Sequence, residues 1–214
     1  MRGETETDRP AAFAGRALTC RRGERMVFEG LDFAMEPGSV LLLRGPNGSG
    51  KSSLLRVMAG LLHPVAGALS WAGGPVAAEP ERHRRRLAFL GHLDAVKPGL
   101  TVAENLGFWC GAGAVESGLE AFAITALARL PARLLSAGQR RRLALARVAG
   151  SGAPLWLLDE PANALDAEAQ ALFAKALARH RAGGGLAAIA LHGETSPPGA
   201  TTLDLAPFAA ARAS

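Results

Sequence analysis

Gly45-Pro46-Asn47-Gly48-Ser49-Gly50-Lys51-Ser52 is the stretch on which the fold turns. It matches G-x-x-x-x-G-K-[ST], a phosphate-binding loop set between a strand and a helix. An anionic ligand explains the residue types. Glycines let backbone N–H groups close around phosphate oxygens with no Cβ in the way. A lysine reaches the β- and γ-phosphates, and a serine hydroxyl suits Mg²⁺. The flanks agree with this reading. Ser39-Val40-Leu41-Leu42-Leu43-Arg44 predicts a buried strand entering the loop, and Ser53-Leu54-Leu55-Arg56-Val57-Met58-Ala59-Gly60 predicts a helix leaving it. That helix turns its positive end toward the anion. Gly45 to Ser52, with Ser53, are therefore the candidate ATP-binding residues, and Ser52 is a candidate Mg²⁺ ligand.

The composition bounds what surrounds the loop. A chain of 214 residues, 49% hydrophobic, is long enough for one sizeable domain with a core. No apolar run approaches the ~20 residues needed to cross a bilayer. Met1 to Pro10 is polar and mixed in charge, which predicts a short disordered start, no signal peptide and a cytoplasmic location. Cys20 and Cys110 stand far apart and predict structural thiols. The net charge of +5 permits nucleic acid, anionic lipid or an acidic protein face as partner without choosing among them. With no tyrosine and 5% aromatics, a base-stacking platform is poorly supported, and no nucleic-acid partner is expected.

Taken in order, Arg16–Arg22 and Met26–Met35 read as two antiparallel strands joined by a turn. Ala68–Trp71 reads as a further strand, Glu81–Arg86 as a solvated charge run, and Leu87–Leu90 as a buried strand ending at Gly91-His92. Thr101-Val102-Ala103-Glu104 fits a capping box and opens a helical region, with Phe108 and Trp109 expected in its core and a second helix over Leu119–Leu130. Ser136 caps a helix running to about Ala149, Ala153–Glu160 is an apolar strand ending in two acids, and Asp166 caps another helix reaching about Arg181. Leu186–Leu191 is the last buried strand, and Thr201–Leu205 a short edge strand. His63, His83 and His180 are isolated and expected on the surface or on helices, with no haem-ligating motif.

Asp159 ends an apolar strand, where a carboxylate accepts from Mg²⁺-bound water. Glu160 follows and points elsewhere, a position suited to a general base that polarises the attacking water. His192 ends the next strand and is a candidate for orienting that water. Ser136, Ala137, Gly138 and Gln139 offer a second helix N-terminus to an anion. One γ-phosphate is already held by the first loop, so the second device makes sense toward the nucleotide of another copy. A head-to-tail homodimer with sandwiched ATP follows.

Together these motifs resemble, over nearly the whole chain, those of ABC-transporter nucleotide-binding subunits. Gly45–Ser52 is similar to Walker A, Leu135–Gln139 to the signature, Leu155–Glu160 to Walker B, Ala164-Leu165-Asp166 to the D-loop and His192 to the switch histidine. The resemblance implies one α/β domain over 1–214. Its parts would be a P-loop NTPase (RecA-like) core, an antiparallel β subdomain and a short helical subdomain over about 93–150.

A narrower resemblance is to the ATP-binding subunits of cytochrome c maturation, also called haem exporter protein A. It rests on Cys20–Arg25 with Phe28–Leu31, Leu90-Gly91-His92, Leu100–Leu106, Leu135–Arg142 and Leu155–Pro161. It implies a peripheral ATPase on the cytoplasmic face of the inner membrane. Integral membrane subunits would be its partners, and hydrolysis would be coupled to haem export or to release of a haem-loaded chaperone. An ATPase subunit of an unrelated small-molecule transporter is the alternative. A soluble family member acting on nucleic acid fits less well, because the chain holds one short cassette. Two positions depart from the general pattern: His92 stands where a glutamine is usual and suits water or Mg²⁺, and Arg21 or Arg22 stands near the place of an adenine-stacking aromatic.

Overall fold

Two sheets share the chain in this computed structural model, which describes residues 13–191 and 196–209. The first is antiparallel. Strand β1 (Phe13–Arg22) pairs with β2 (Arg25–Met35) through a tight turn at Gly23, whose φ of 58° only glycine adopts without strain. On its other side β1 pairs with β4 (Ala66–Trp71), and β5 (Gly74–Pro75) completes the order β2-β1-β4-β5. The second sheet is parallel. It comprises β3 (Val40–Arg44), β6 (Leu87–Leu90), β7 (Leu155–Asp159), β8 (Leu186–Ala190) and the edge strand β9 (Thr201–Asp204), in the order β6-β7-β8-β3-β9.

Strand alternation divides the core. Val40, Leu42, Trp156, Leu158, Ala187 and Ile189 face one side, under α3 (Val102–Cys110), α4 (Val115–Ala121), α5 (Ala137–Gly150) and α6 (Ala167–Ala182). Leu41, Leu43, Leu155, Leu157, Ala188 and Ala190 face the other, under α1 (Lys51–Met58) and the antiparallel sheet. This is the expected α/β arrangement, a parallel core with an antiparallel β unit and a helical unit. The strands of the parallel sheet end on one side, so β3 delivers the Gly45–Ser52 loop next to the carboxylates at the end of β7.

Two local expectations are corrected, and a third, the solvated charge run, holds except at His83. The helix expected over Leu119–Leu130 stops at Ala121, because Ala123 takes φ 52° and turns the chain so that Phe122 and Ile124 can both bury. Phe108 and Trp109 are not core: they are 58% and 44% exposed. The buried face of α3 is Val102, Asn105 and Leu106. The two aromatics follow in the last turn and pack edge-on at 5.0 Å, beneath Lys97 and Arg147. The charge run Glu81–Arg86 forms most of a short helix, α2 (Pro80–Arg85), with its arginines outward and His83 buried.

Candidate nucleotide site

The Gly45–Ser52 loop is a cradle that side chains would fill. Gly50 holds φ 106°, and a Cβ there would come within 2.7 Å of Val27 Cγ1 and 3.0 Å of Phe28 Cδ1 on β2. Gly50 is also the N-cap of α1 and supplies no side-chain cap. The first N–H groups of Lys51, Ser52 and Ser53 are thus left for a ligand. Ser49 Oγ is buried with no hydrogen-bond partner among the described residues, as suits a hydroxyl awaiting a ligand oxygen. Lys51 is only 7% exposed, and its Nζ donates to the carbonyls of Gly45 (2.8 Å) and Pro46 (3.2 Å). Burial pulls its pKa below the ordinary lysine value, while the negative charges of Glu160 and Asp159 pull it back up. The ammonium is therefore stored inside the loop it would leave to meet a phosphate.

Asp159 closes β7 at 7% exposure, and Glu160 follows in a left-handed conformation, φ 51°. The Glu160 N–H donates to the Ala190 carbonyl at 2.9 Å, and Asn163 Nδ2 donates to its carboxylate. Glu160 lines a cleft of about 460 Å³ with Lys51, Ser52, Arg22, Arg25 and Val27. The β1–β2 turn thus overhangs the loop with arginines, Arg22 rather than Arg21 facing the cleft. Asn47, Gly48 and Ser53 also line it. No group of three or more histidine, cysteine, aspartate or glutamate side chains gathers for a metal among the described residues. An Mg²⁺ here would need phosphate oxygens and water beside Ser52 and Asp159, which is how that ion is commonly held.

The second device is separate. Ser136 caps α5 by accepting from the Gln139 N–H at 3.2 Å, and Gln139 Oε1 accepts from the Ser136 N–H at 2.9 Å. Ser136 and Ala137 are exposed at this helix start. Ser136, Gly138 and Gln139 line a cleft of about 290 Å³ with Arg142, Leu165 and Asp166. The two clefts share no lining residue. Within one chain, therefore, Gly45–Ser53, Asp159 and Glu160 come together, and Ser136–Gln139 do not join them. His92 is exposed beyond β6. His192 and Met1 to Pro10 lie outside the described residues.

Several participants escaped the sequence reading. Arg25 lines the first cleft. Asn163 holds the Glu160 carboxylate. Arg142 pairs with Asp166 at 2.8 Å and Glu168 at 3.0 Å, tying α5 to the start of α6. Arg141 is buried behind Glu160. The run Arg140-Arg141-Arg142 directly after the helix cap was the available signal, since three arginines on a helix of a packed subdomain cannot all face water.

Known proteins match this arrangement. A family model described as ABC transporter matches residues 28–163. A protein of Rhodospirillum rubrum named cytochrome c biogenesis ATP-binding export protein CcmA is 54% identical over 205 residues, covering 94% of this chain and 88% of its own. One of the same name from Paramagnetospirillum magneticum is 48% identical, covering 94% and 97%. Among solved structures, a putative ABC transporter ATP-binding protein from Pyrococcus furiosus has a TM-score of 0.81 at 23% identity, covering 94% of this chain and 100% of its own. The structure titled as a bacterial Atm1-family ABC exporter with ATP bound has a TM-score of 0.76 at 21% identity, covering 86% of this chain and 35% of its own. At these identities the two structures speak for the fold alone, and the fold is the same. With sequence, sheet order and loop geometry in agreement, the chain belongs to the ABC transporter family, in its branch of cytochrome c biogenesis ATP-binding export proteins.

Proposed function

We propose that this chain is the ATP-hydrolysing subunit of an ABC complex for cytochrome c biogenesis, coupling hydrolysis to haem export or to release of a haem-loaded chaperone. Family membership itself carries ATP binding and hydrolysis. The observation that supports the assigned site is the convergence, at one end of the parallel sheet, of the uncapped α1 N-terminus, stored Lys51, Asp159 and Glu160. The assignment to cytochrome c biogenesis is supported by the relatives, 54% and 48% identical along nearly the full chain.

In this reading the backbone of Gly45 to Ser53 holds the phosphates and Lys51 swings from the Gly45 carbonyl to the β- and γ-oxygens. Ser52 and Asp159 would hold Mg²⁺, which would offset charge on the phosphates. Glu160 takes the proton of the water that attacks the γ-phosphorus as the bond to the bridging oxygen breaks. Asn163 Nδ2 donates to that carboxylate and so holds it in place. His192 would orient the water, and His92, just beyond β6, would contact water or Mg²⁺. The separation of the two clefts supports a homodimer in which Ser136, Ala137, Gly138 and Gln139 of one copy close on ATP held by the other.

No helix among the described residues is long and apolar enough to cross a membrane. Integral membrane subunits therefore supply the passage in this reading, and the chain sits peripherally on the cytoplasmic face of the inner membrane. The exposed Phe108–Trp109 pair offers those subunits an apolar seat. ATP turnover of Glu160→Gln tests the reading: turnover should vanish while ATP binding persists, and unchanged turnover refutes the assigned base.

A further inference from the structure

Arg141 sits in the second turn of α5 at 5% exposure, and its five N–H donors all find acceptors. Nε donates to the Pro161 carbonyl at 3.2 Å. Nη2 donates to the carbonyls of Asp159 at 2.9 Å and Glu160 at 2.6 Å. Nη1 donates to Asp94 Oδ1 at 2.8 Å and, longer, to the Gly91 carbonyl at 3.4 Å. One buried guanidinium thus joins three segments: the helix begun by Ser136, the chain leaving β7, and the loop leaving β6.

Stability alone is a poor account of this. Burying a guanidinium costs desolvation, and an apolar side chain of similar volume commonly packs as well or better. What the fork supplies instead is geometry. Glu160 is a non-glycine residue at φ 51°, a conformation that persists only when its surroundings enforce it. Its N–H is held by Ala190, and its carbonyl accepts from both the Asn163 N–H and Arg141. With both flanking peptides fixed, the direction in which the Glu160 side chain leaves the backbone is fixed, and Asn163 holds its carboxylate. The same guanidinium grips both ends of Gly91–Asp94, whose middle residues, His92 and Leu93, are exposed to any partner that presses on them.

We propose that Arg141 is a positioning residue that sets the backbone of Glu160 and links it to the Gly91–Asp94 loop, so that movement of the loop re-aims the base. This rests on the reading of Glu160 as the base. The test is ATP turnover and nucleotide affinity of the full chain, alone and with the membrane subunits that co-purify with it. Arg141→Met should lower kcat at least about tenfold while the Kd for ATP stays within about threefold. Arg141→Lys should lose nearly as much, because an ammonium cannot serve four carbonyls and a carboxylate together. Asp94→Asn should lower kcat about threefold alone and add nothing to Arg141→Met. Wild-type kcat in Arg141→Met, a loss confined to Kd, or independent effects of the two substitutions would overturn the link. Should the Arg141 variants fail to fold, Asp94→Asn decides alone, and unchanged kcat overturns it. Glu160→Gln separates the two ideas. If it retains turnover, the base is misassigned; if it is dead while Arg141→Met is normal, only the positioning role falls.

Discussion

Trp71 Nε1 donates to His83 Nδ1 at 2.8 Å, and His83 Nε2 meets the Met58 carbonyl at 2.8 Å. An indole can only donate, so Nδ1 is the bare acceptor and Nε2 carries the proton given to Met58. This one imidazole ties the antiparallel sheet, α2 and the C-terminal end of the helix that begins at the phosphate loop. Burial holds its pKa below the ordinary value of 6.5, with Arg86 acting the same way and the Met58 carbonyl opposing. The neutral ring belongs to the folded state, so the unfolded chain binds the proton more readily. Stability is then full above about pH 6.5 and is lost as pH falls below it toward the folded pKa. His180, half-buried and stacked on Trp156 with ring centroids 4.0 Å apart, shifts the same way. Thermal melts from pH 7.5 to 5.0 should show a falling Tm, and His83→Gln should flatten the slope.

Gly50→Ala should weaken nucleotide binding. The added methyl meets Val27 Cγ1 at 2.7 Å in a backbone with φ 106°, a conformation that costs a non-glycine residue about 1–3 kcal/mol. Either the loop shifts away from β2 or the start of α1 unwinds. Titration with a fluorescent ATP analogue should show affinity down by at least about tenfold, equivalent to ~1.4 kcal/mol.

Ala137→Glu probes the second cleft without harming the helix. Ala137 is the first residue of α5 and is exposed, where a carboxylate favours the helix dipole. The same charge would repel the γ-phosphate of an incoming copy. In a Glu160→Gln background, light scattering should find the chain monomeric at ATP concentrations that otherwise give dimer, with single-chain ATP affinity and Tm unchanged. Persistent dimer would count against the shared site.

Trp109→Ser and Phe108→Ser should leave the fold nearly as stable, because both side chains are largely exposed and surface changes of this kind commonly cost less than about 1 kcal/mol. Capture of the membrane subunits in pull-downs should fall sharply, with the isolated chain's ATP affinity unaltered. Undiminished capture would move the docking surface elsewhere.

The readable parts of the chain were those in which local chemistry and tertiary role coincide. The loop at Gly45–Ser52 announces itself because the phosphate demands glycines, a lysine and a serine at fixed spacing. The caps at Thr101, Ser136 and Asp166 are equally local, each side chain accepting from an N–H three residues on. Phe108 and Trp109 misled because their hydrophobicity is spent on a surface facing outward, which periodicity cannot distinguish from core. His83 hid inside a charge run because its indole partner lies twelve positions away on another element. Arg141 was invisible as a hub because all but one of its acceptors are main-chain carbonyls, which carry no sequence signature.

Strand β8 is a thin wall at the centre of the parallel sheet. Its sequence Leu186-Ala187-Ala188-Ile189-Ala190 is fully buried on both faces, yet three of its side chains are single methyl groups. That economy lets α1 press in from one side and α6 from the other. Nothing at the centre of the sheet can grow, so exchange of Ala188 for a larger residue would drive a wedge of about 1–3 kcal/mol between the two halves. Variation within this branch of the family should therefore concentrate at the rims of the sheet and spare its middle.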